Sequence, residues 1–221
     1  MEAPAPISWL SALDARIWQA VIAGAFVALG WMVNGWQNRR RDATLRAERL
    51  RDMHRALFAE IGAHLATLDT ADELDRYGSE MAARIESEAD FVPFIPVEHN
   101  DRVFEAAIDQ IHILPRSSID PVVAYYSQIR AIATLVGDMR GPGFAALSPQ
   151  RRAAIYRDYI AMKKQASAFG HHALRIIDAY SKGGKPAAKA VEEERHRETV
   201  QRQKALSTPA SGPSGPSRGS E

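Results

Sequence analysis

Residues 17–36, IWQAVIAGAFVALGWMVNGW, decide how the rest of the chain is read. Only Gln19 and Asn34 are clearly polar, and both lie near the ends. About 20 helical residues span roughly 30 Å, the thickness of a bilayer's hydrocarbon core. The strictly apolar centre, Ala20 to Val33, is shorter, so a buried core helix and a signal-peptide core are the competing readings. Two features select a membrane span. All four Trp residues fall in the first 36 positions. Trp9 and Trp18 mark one interface and Trp31 and Trp36 the other, because indole rings prefer the half-wet headgroup layer. The second feature is the flank. Arg39, Arg40 and Arg41 follow at once, whereas the leading segment sets Glu2 and Asp14 against Arg16 alone. A secretory signal has the opposite charge order and a small-residue cleavage site. The arginine side is therefore expected in the cytoplasm, with residues 1–16 a short extracytoplasmic N-terminus. Ala20, Gly24 and Ala28 recur every four residues, a spacing that lets two helices approach closely, so they form a candidate dimer face.

On the far side of the span, residues 37–49 read as a basic juxtamembrane stalk. Between Arg39 and Arg55 seven arginines face three acids, Asp42, Glu48 and Asp52. Basic residues just inside a bilayer attract anionic headgroups, at about 1 kcal/mol each near the surface. Aromatic interleaving and known nucleic-acid modules are missing from the stalk, and the net charge of the chain is only +1, so nucleic acid is not an expected partner.

Residues 50–184 carry helical periods. Leu50, Met53, Leu57, Ile61, Leu65 and Leu68 form an apolar stripe in steps of three and four. Leu74, Tyr77, Met81 and Ile85 repeat it, either continuing the same helix or forming a second one after a break near Thr70 to Asp72. Residues 87–99 hold Pro93 and Pro96 and no period, so they form a loop whose Phe91, Phe94 and Ile95 are expected to pack on the bundle. Asn100 or Asp101 is placed to cap a helix with Phe104, Ile108, Ile111 and Leu114 on one face, ended by Pro115. Asp120-Pro121 reads as the next start, with Val122, Tyr126, Ile129, Ala133 and Val136 facing inward and Tyr125 sideways. Gly141-Pro142-Gly143 is a turn. Ser148-Pro149 opens a seam of Ile155, Tyr159, Met162, Ala166, Phe169, Ala173, Ile176 and Tyr180, ended by Gly183-Gly184. Residues 185–221 are expected to be a tail. Its charged part, Pro186 to Leu206, has almost no apolar face and makes at best a lone helix. Its Ser/Gly/Pro-rich part, from Thr208, is expected to be disordered.

Reactive chemistry is sparse. The chain has no Cys, which excludes disulfides, thiolate nucleophiles and Cys-ligated zinc. His171 and His172 adjoin on a helix and diverge by about 100°, and His54 and His64 lack ligand spacing, so no metal site is expected. His112, among Ile111, Ile113 and Leu114, reads as a half-buried structural histidine. Gly141-Pro142-Gly143 lacks a phosphate-loop lysine, and Ser117-Ser118 fit a helix entry.

The stretch Val103 to Ile129, VFEAAIDQIHILPRSSIDPVVAYYSQI, resembles a segment of uncharacterised bacterial single-pass inner-membrane proteins. There an N-terminal anchor and arginine cluster precede a helix ending in Leu-Pro, then a helix with an aromatic pair. Leu114, Pro115, Val122, Tyr125 and Tyr126 carry the match, which covers residues 17–68 and 100–136. The resemblance implies topology and no activity.

The expectation is an all-α chain: one transmembrane helix (17–36) continuing into a cytoplasmic antiparallel helical bundle (50–184), with a disordered C-terminal tail. It sits in the inner membrane and needs no cofactor. Its first functional reading is a non-catalytic interaction or scaffold module whose partners are the bilayer, anionic headgroups included, and a protein or a second copy. The alternative is a sensor that binds a ligand between its helices, with loop 91–95 and Tyr125 lining the pocket. An enzyme of unfamiliar type, working through His112 or His171, is the third.

Overall fold

The computed structural model describes residues 15–207, and all regular structure among them is helical. Trp9 and the Ser/Gly/Pro-rich part of the expected tail lie outside the described residues. The chain divides into two compact units, Met1–Leu50 and Arg51–Glu221. In the first unit, helix α1 (Ala15–Thr67) begins, and by length and composition it is the one described helix able to cross a membrane. From Ile17 to Trp36 its apolar side chains are bare: Phe26 is 70 % exposed and Trp31 78 %.

The second unit holds the rest of α1 with α2 (Ala71–Ser87), α3 (Arg102–Ala107), a 3₁₀ segment (Ile108–Ile113), α4 (Arg116–Met139), α5 (Pro142–Ala145) and α6 (Pro149–Ser207). Of the two alternatives for the stripe beyond Thr70, the structure has the second: α1 ends at Thr67 and a separate helix follows. Thr70 accepts from the Glu73 N–H, and the Glu73 carboxylate accepts from the Thr70 N–H in return, a reciprocal cap that starts α2. α6 is the central rod, with α2 and α4 packed along it. Leu74, Ala82, Ile85, Val136, Met139, Phe144, Tyr156, Tyr159 and Ile160 form a core among α2, α4, α5 and α6.

Tyr77, expected on the inner face of α2, is 49 % exposed. Gly78 takes the buried place, because α6 comes so near that a Cβ there would lie 2.9 Å from Ile160 Cγ1. Overpacking of this kind costs about 1–3 kcal/mol. Gly78→Ala is expected to lower the unfolding midpoint of the full-length protein, read by circular dichroism. An unchanged midpoint would mean that α2 and α6 can slide apart freely.

Three further expectations are corrected. Helix α4 starts at Arg116, not at Asp120-Pro121. Leu114 is held extended (ψ 142°) by the proline that follows it, so the chain turns there. The Pro115 carbonyl then accepts from the Ser118 and Ile119 N–H groups, and Pro121 falls inside the helix, where its buried ring packs. Phe94 is 85 % exposed, while Pro93 and Ile95 turn inward from the same loop. His112 is exposed, since the 3₁₀ segment buries none of its residues.

The charged segment after Gly184 is not a lone helix. Gly184 has φ 63° and ψ −155°, a backbone state suited to glycine, and it breaks α6 in two. Phe169 and Arg195 would stand about 39 Å apart on a straight helix. The Arg195 guanidinium instead lies 6.0 Å from the Phe169 ring centre, so residues 185–207 run back along their predecessors. Ala188, fully buried, sits at the start of this returned arm.

Candidate functional site

Near the C-terminal end of α1 the stripe of Leu57 and Ile61 also brings His54, Glu60 and His64 inward. His64 is 5 % exposed. Its Nδ1 lies 2.5 Å from the Tyr125 hydroxyl of α4. Both rings of the tyrosine pair are buried, so the sideways orientation expected for Tyr125 does not hold. Burial, then the charges of Glu60 and Glu98, pushes the Tyr125 phenol well above its ordinary range, and it stays protonated. Its neighbour Tyr126 stacks on Phe104 with ring centres 4.0 Å apart and donates to Glu60 Oε2 at 2.6 Å. Glu60 also accepts from the Val103 and Phe104 N–H groups, at 2.6 and 3.1 Å. It therefore does the capping that the sequence assigned to Asn100 or Asp101, and Asp101 makes no side-chain cap.

The other face of His64 looks onto a cavity of about 200 Å³. Its walls come from α1 (His64) and the bend after it (Leu68), α4 (Ile129, Ile132, Ala133, Val136) and Arg140 just past it, α6 (Tyr159, Lys163, Ala166) and the loop after α2 (Pro96, Val97, Glu98, Asn100). The lining is mostly apolar. The loop is fixed by its carbonyls: Arg140 donates to Ile95 O at 2.5 Å, and buried Arg152 donates to Ala89 O. Phe91 lies under the Arg84 guanidinium at 4.0 Å. This anchoring delivers Glu98 to the cavity. Its Oε1 accepts from Lys163 Nζ at 3.2 Å and its Oε2 stands 3.7 Å from His64 Nε2.

The last separation is longer than a direct hydrogen bond. His64 first, then Lys163, holds the Glu98 carboxyl down at about 2 against the opposing effect of burial. Burial opposes the charge on Lys163, but Tyr159 and Glu98 outweigh it and keep that ammonium above its ordinary range. The tautomer of His64 follows from its neighbours. If Nδ1 donated to Tyr125, the Nε2 lone pair would face an ionised carboxylate. With the phenol donating to Nδ1, Nε2 carries the proton and points it at Glu98, so this arrangement is favoured. Nε2 itself is buried without a hydrogen-bond partner in the chain.

Of this cluster the sequence points only to Tyr125 as a pocket residue. His64 was noted only for its spacing, and Glu98 and Lys163 not at all. The other residues that were singled out lie elsewhere. Trp18, Trp31 and Trp36 are exposed along α1, as are Arg39, Arg40 and Arg41. Arg40 stacks over the Trp36 ring at 3.8 Å. Ala20, Gly24 and Ala28 are likewise exposed, and a Cβ on Gly24 would meet nothing within 4 Å. Residues 92–95, expected beside a ligand pocket, line shallower clefts, whereas the cavity beside His64 takes Pro96, Val97, Glu98 and Asn100 from the same loop, and Tyr125 is not in its wall. His171 is exposed, with Nδ1 2.8 Å from the Ser167 carbonyl oxygen.

No family model, curated protein or solved structure matches this chain.

Proposed function

We propose that the protein is a membrane-tethered small-molecule sensor: a single span carries a cytoplasmic helical domain, and a ligand binds in the cavity between α1, α4 and α6. The observation that carries the reading is a mostly apolar cavity of about 200 Å³ with a buried, unpartnered donor, His64 Nε2, at its wall. Few convergent polar groups in an apolar cleft are the usual form of a ligand site. The tether rests on the bare apolar surface of α1 (Val21, Ile22, Phe26, Val27 and Trp31), which water would oppose and lipid accepts. The arginines that follow favour a cytoplasmic domain.

The test uses full-length protein in lipid nanodiscs with 3-phenylpropan-1-ol, a neutral probe of about ten non-hydrogen atoms, near the size such a cavity admits. Saturable binding above that of empty discs is expected, and Ala133→Phe, which fills the cavity from α4, abolishes it. Binding that Ala133→Phe leaves unchanged would remove the cavity from the account. Resistance to carbonate extraction tests the tether.

The interaction-scaffold reading keeps one specific support, the open face of Ala20, Gly24 and Ala28. Gly24→Ile would abolish in-membrane cross-linking between copies if that face pairs two chains.

A further inference from the structure

We propose that the ligand of this cavity is a small amphipathic carboxylate, and that the Glu98 side chain occupies the seat its head group takes. The inference rests on the sensor reading and names the chemistry of its ligand.

The polar end of the cavity is asymmetric. Lys163 and His64 are fixed: both project from helices, and their side chains are 16 % and 4 % exposed. Glu98 is movable by comparison. It lies on a segment without regular structure, and its side chain is 40 % exposed. The Arg140 and Arg152 bonds hold the earlier part of that segment at Ile95 and Ala89, and Glu60 holds its far end at Val103 and Phe104; Glu98 lies between these clamps, its Oε2 also accepting from Asn100 Nδ2 of the same segment at 3.1 Å. Two donors therefore stay in place while the acceptor between them can swing outward.

Withdrawing Glu98 alone would leave the Lys163 ammonium largely buried without its counter-charge, which is costly. Replacing Glu98 by another carboxylate restores the pairing. It also lets an oxygen close on His64 Nε2–H, which Glu98 reaches only to 3.7 Å. Arg140 also lines the cavity while it donates to the Ile95 carbonyl, so with Glu98 withdrawn the wall carries positive charge. The apolar side chains of Ile129, Ile132 and Val136 then receive the body of the ligand. An amine would meet Lys163, and an alcohol would leave its charge unpaired.

Three probes of one shape test this: 3-phenylpropanoate, 3-phenylpropan-1-ol and 3-phenylpropan-1-amine, titrated calorimetrically into the full-length protein in nanodiscs against empty discs. The carboxylate is expected to bind most tightly, by about tenfold over the alcohol. Glu98→Gln removes the competing charge and should raise carboxylate affinity by about tenfold again while the alcohol changes little, with circular dichroism checking that the variant stays folded. Lys163→Met should erase the preference for the carboxylate. Alcohol or amine binding as tightly as the carboxylate, or Glu98→Gln leaving carboxylate affinity unchanged or weaker, overturns the inference while the sensor reading stands. Failure of all three probes to bind sinks both.

Discussion

Glu60→Ala is expected to destabilise the second unit by about 4 kcal/mol, a large share of the roughly 5–15 kcal/mol that holds a folded domain together. One carboxylate satisfies three donors: the Val103 and Phe104 N–H groups and the Tyr126 hydroxyl. Charge-assisted bonds are worth about 1.5–3 kcal/mol each, and a donor left buried without an acceptor adds its desolvation cost. Val103 is exposed and its N–H can turn to water, so the sum falls short of three full bonds. Tyr126 is 1 % exposed and its hydroxyl has no such escape. Thermal unfolding of full-length protein in nanodiscs, followed by circular dichroism, measures the change. Tyr126→Phe should cost about 1–2 kcal/mol, and the double variant should cost less than the sum, because both remove one shared bond. A loss under about 1 kcal/mol for Glu60→Ala would mean that the α3 entry is capped by other means.

Glu60 also shows why the sequence disclosed the scaffold better than the site. Helical periods, proline and glycine are local signals. The stripes Leu57–Ile61 and Val122–Tyr126–Ile129 and the Ser148-Pro149 start were therefore legible, and the structure has them, while the sequence left a break near Thr70 and an unbroken helix both open. A cap supplied from 43 residues away, as Glu60 supplies Val103, leaves no local trace. The same holds for His64, Glu98 and Lys163, which only meet once α1, the loop and α6 are packed. One signal was available. His54, Leu57, Ile61 and His64 step 3, 4, 3, which puts both histidines on the apolar face of α1 rather than in solvent. Asp120-Pro121 misled because a capping carboxylate before proline is a common start, yet Leu114-Pro115 had already turned the chain. The returned arm was invisible for another reason. Residues 185–207 carry too few apolar positions to announce a face, but Ala188, Val191 and Arg195 suffice to cover the rod once Gly184 reverses the chain.

Acid should unfold the domain earlier than its carboxylates alone would dictate. Burial holds His54 at about 4, well below its ordinary 6.5, and its ring stands edge-on to Tyr180 with centres 5.2 Å apart. Above pH 6.5 the imidazole is neutral in the folded and unfolded chain alike, so it contributes no pH dependence. Between pH 6.5 and 4 the unfolded chain takes up a proton that the folded one refuses, and stability falls across that window. The interval corresponds to about 3 kcal/mol for His54. His172 is lowered to about 4 as well, by burial first and then by Arg195 and Arg175, so its protonation also opposes the docking of the returned arm against α6. Glu98 acts in a lower window: its carboxyl is depressed to about 2, so its contribution is intact above pH 4.5 and is lost as pH falls toward 2. The expected result is a melting temperature of full-length protein in nanodiscs that drops steadily from pH 6.5 to 4.5. His54→Leu should flatten that slope, because a leucine fills the buried position and takes no proton. Persistence of the full slope in His54→Leu and His172→Leu together would place the acid sensitivity elsewhere, whereas loss of the slope in the first alone would locate it at the base of the bundle, between α1 and Tyr180 of α6.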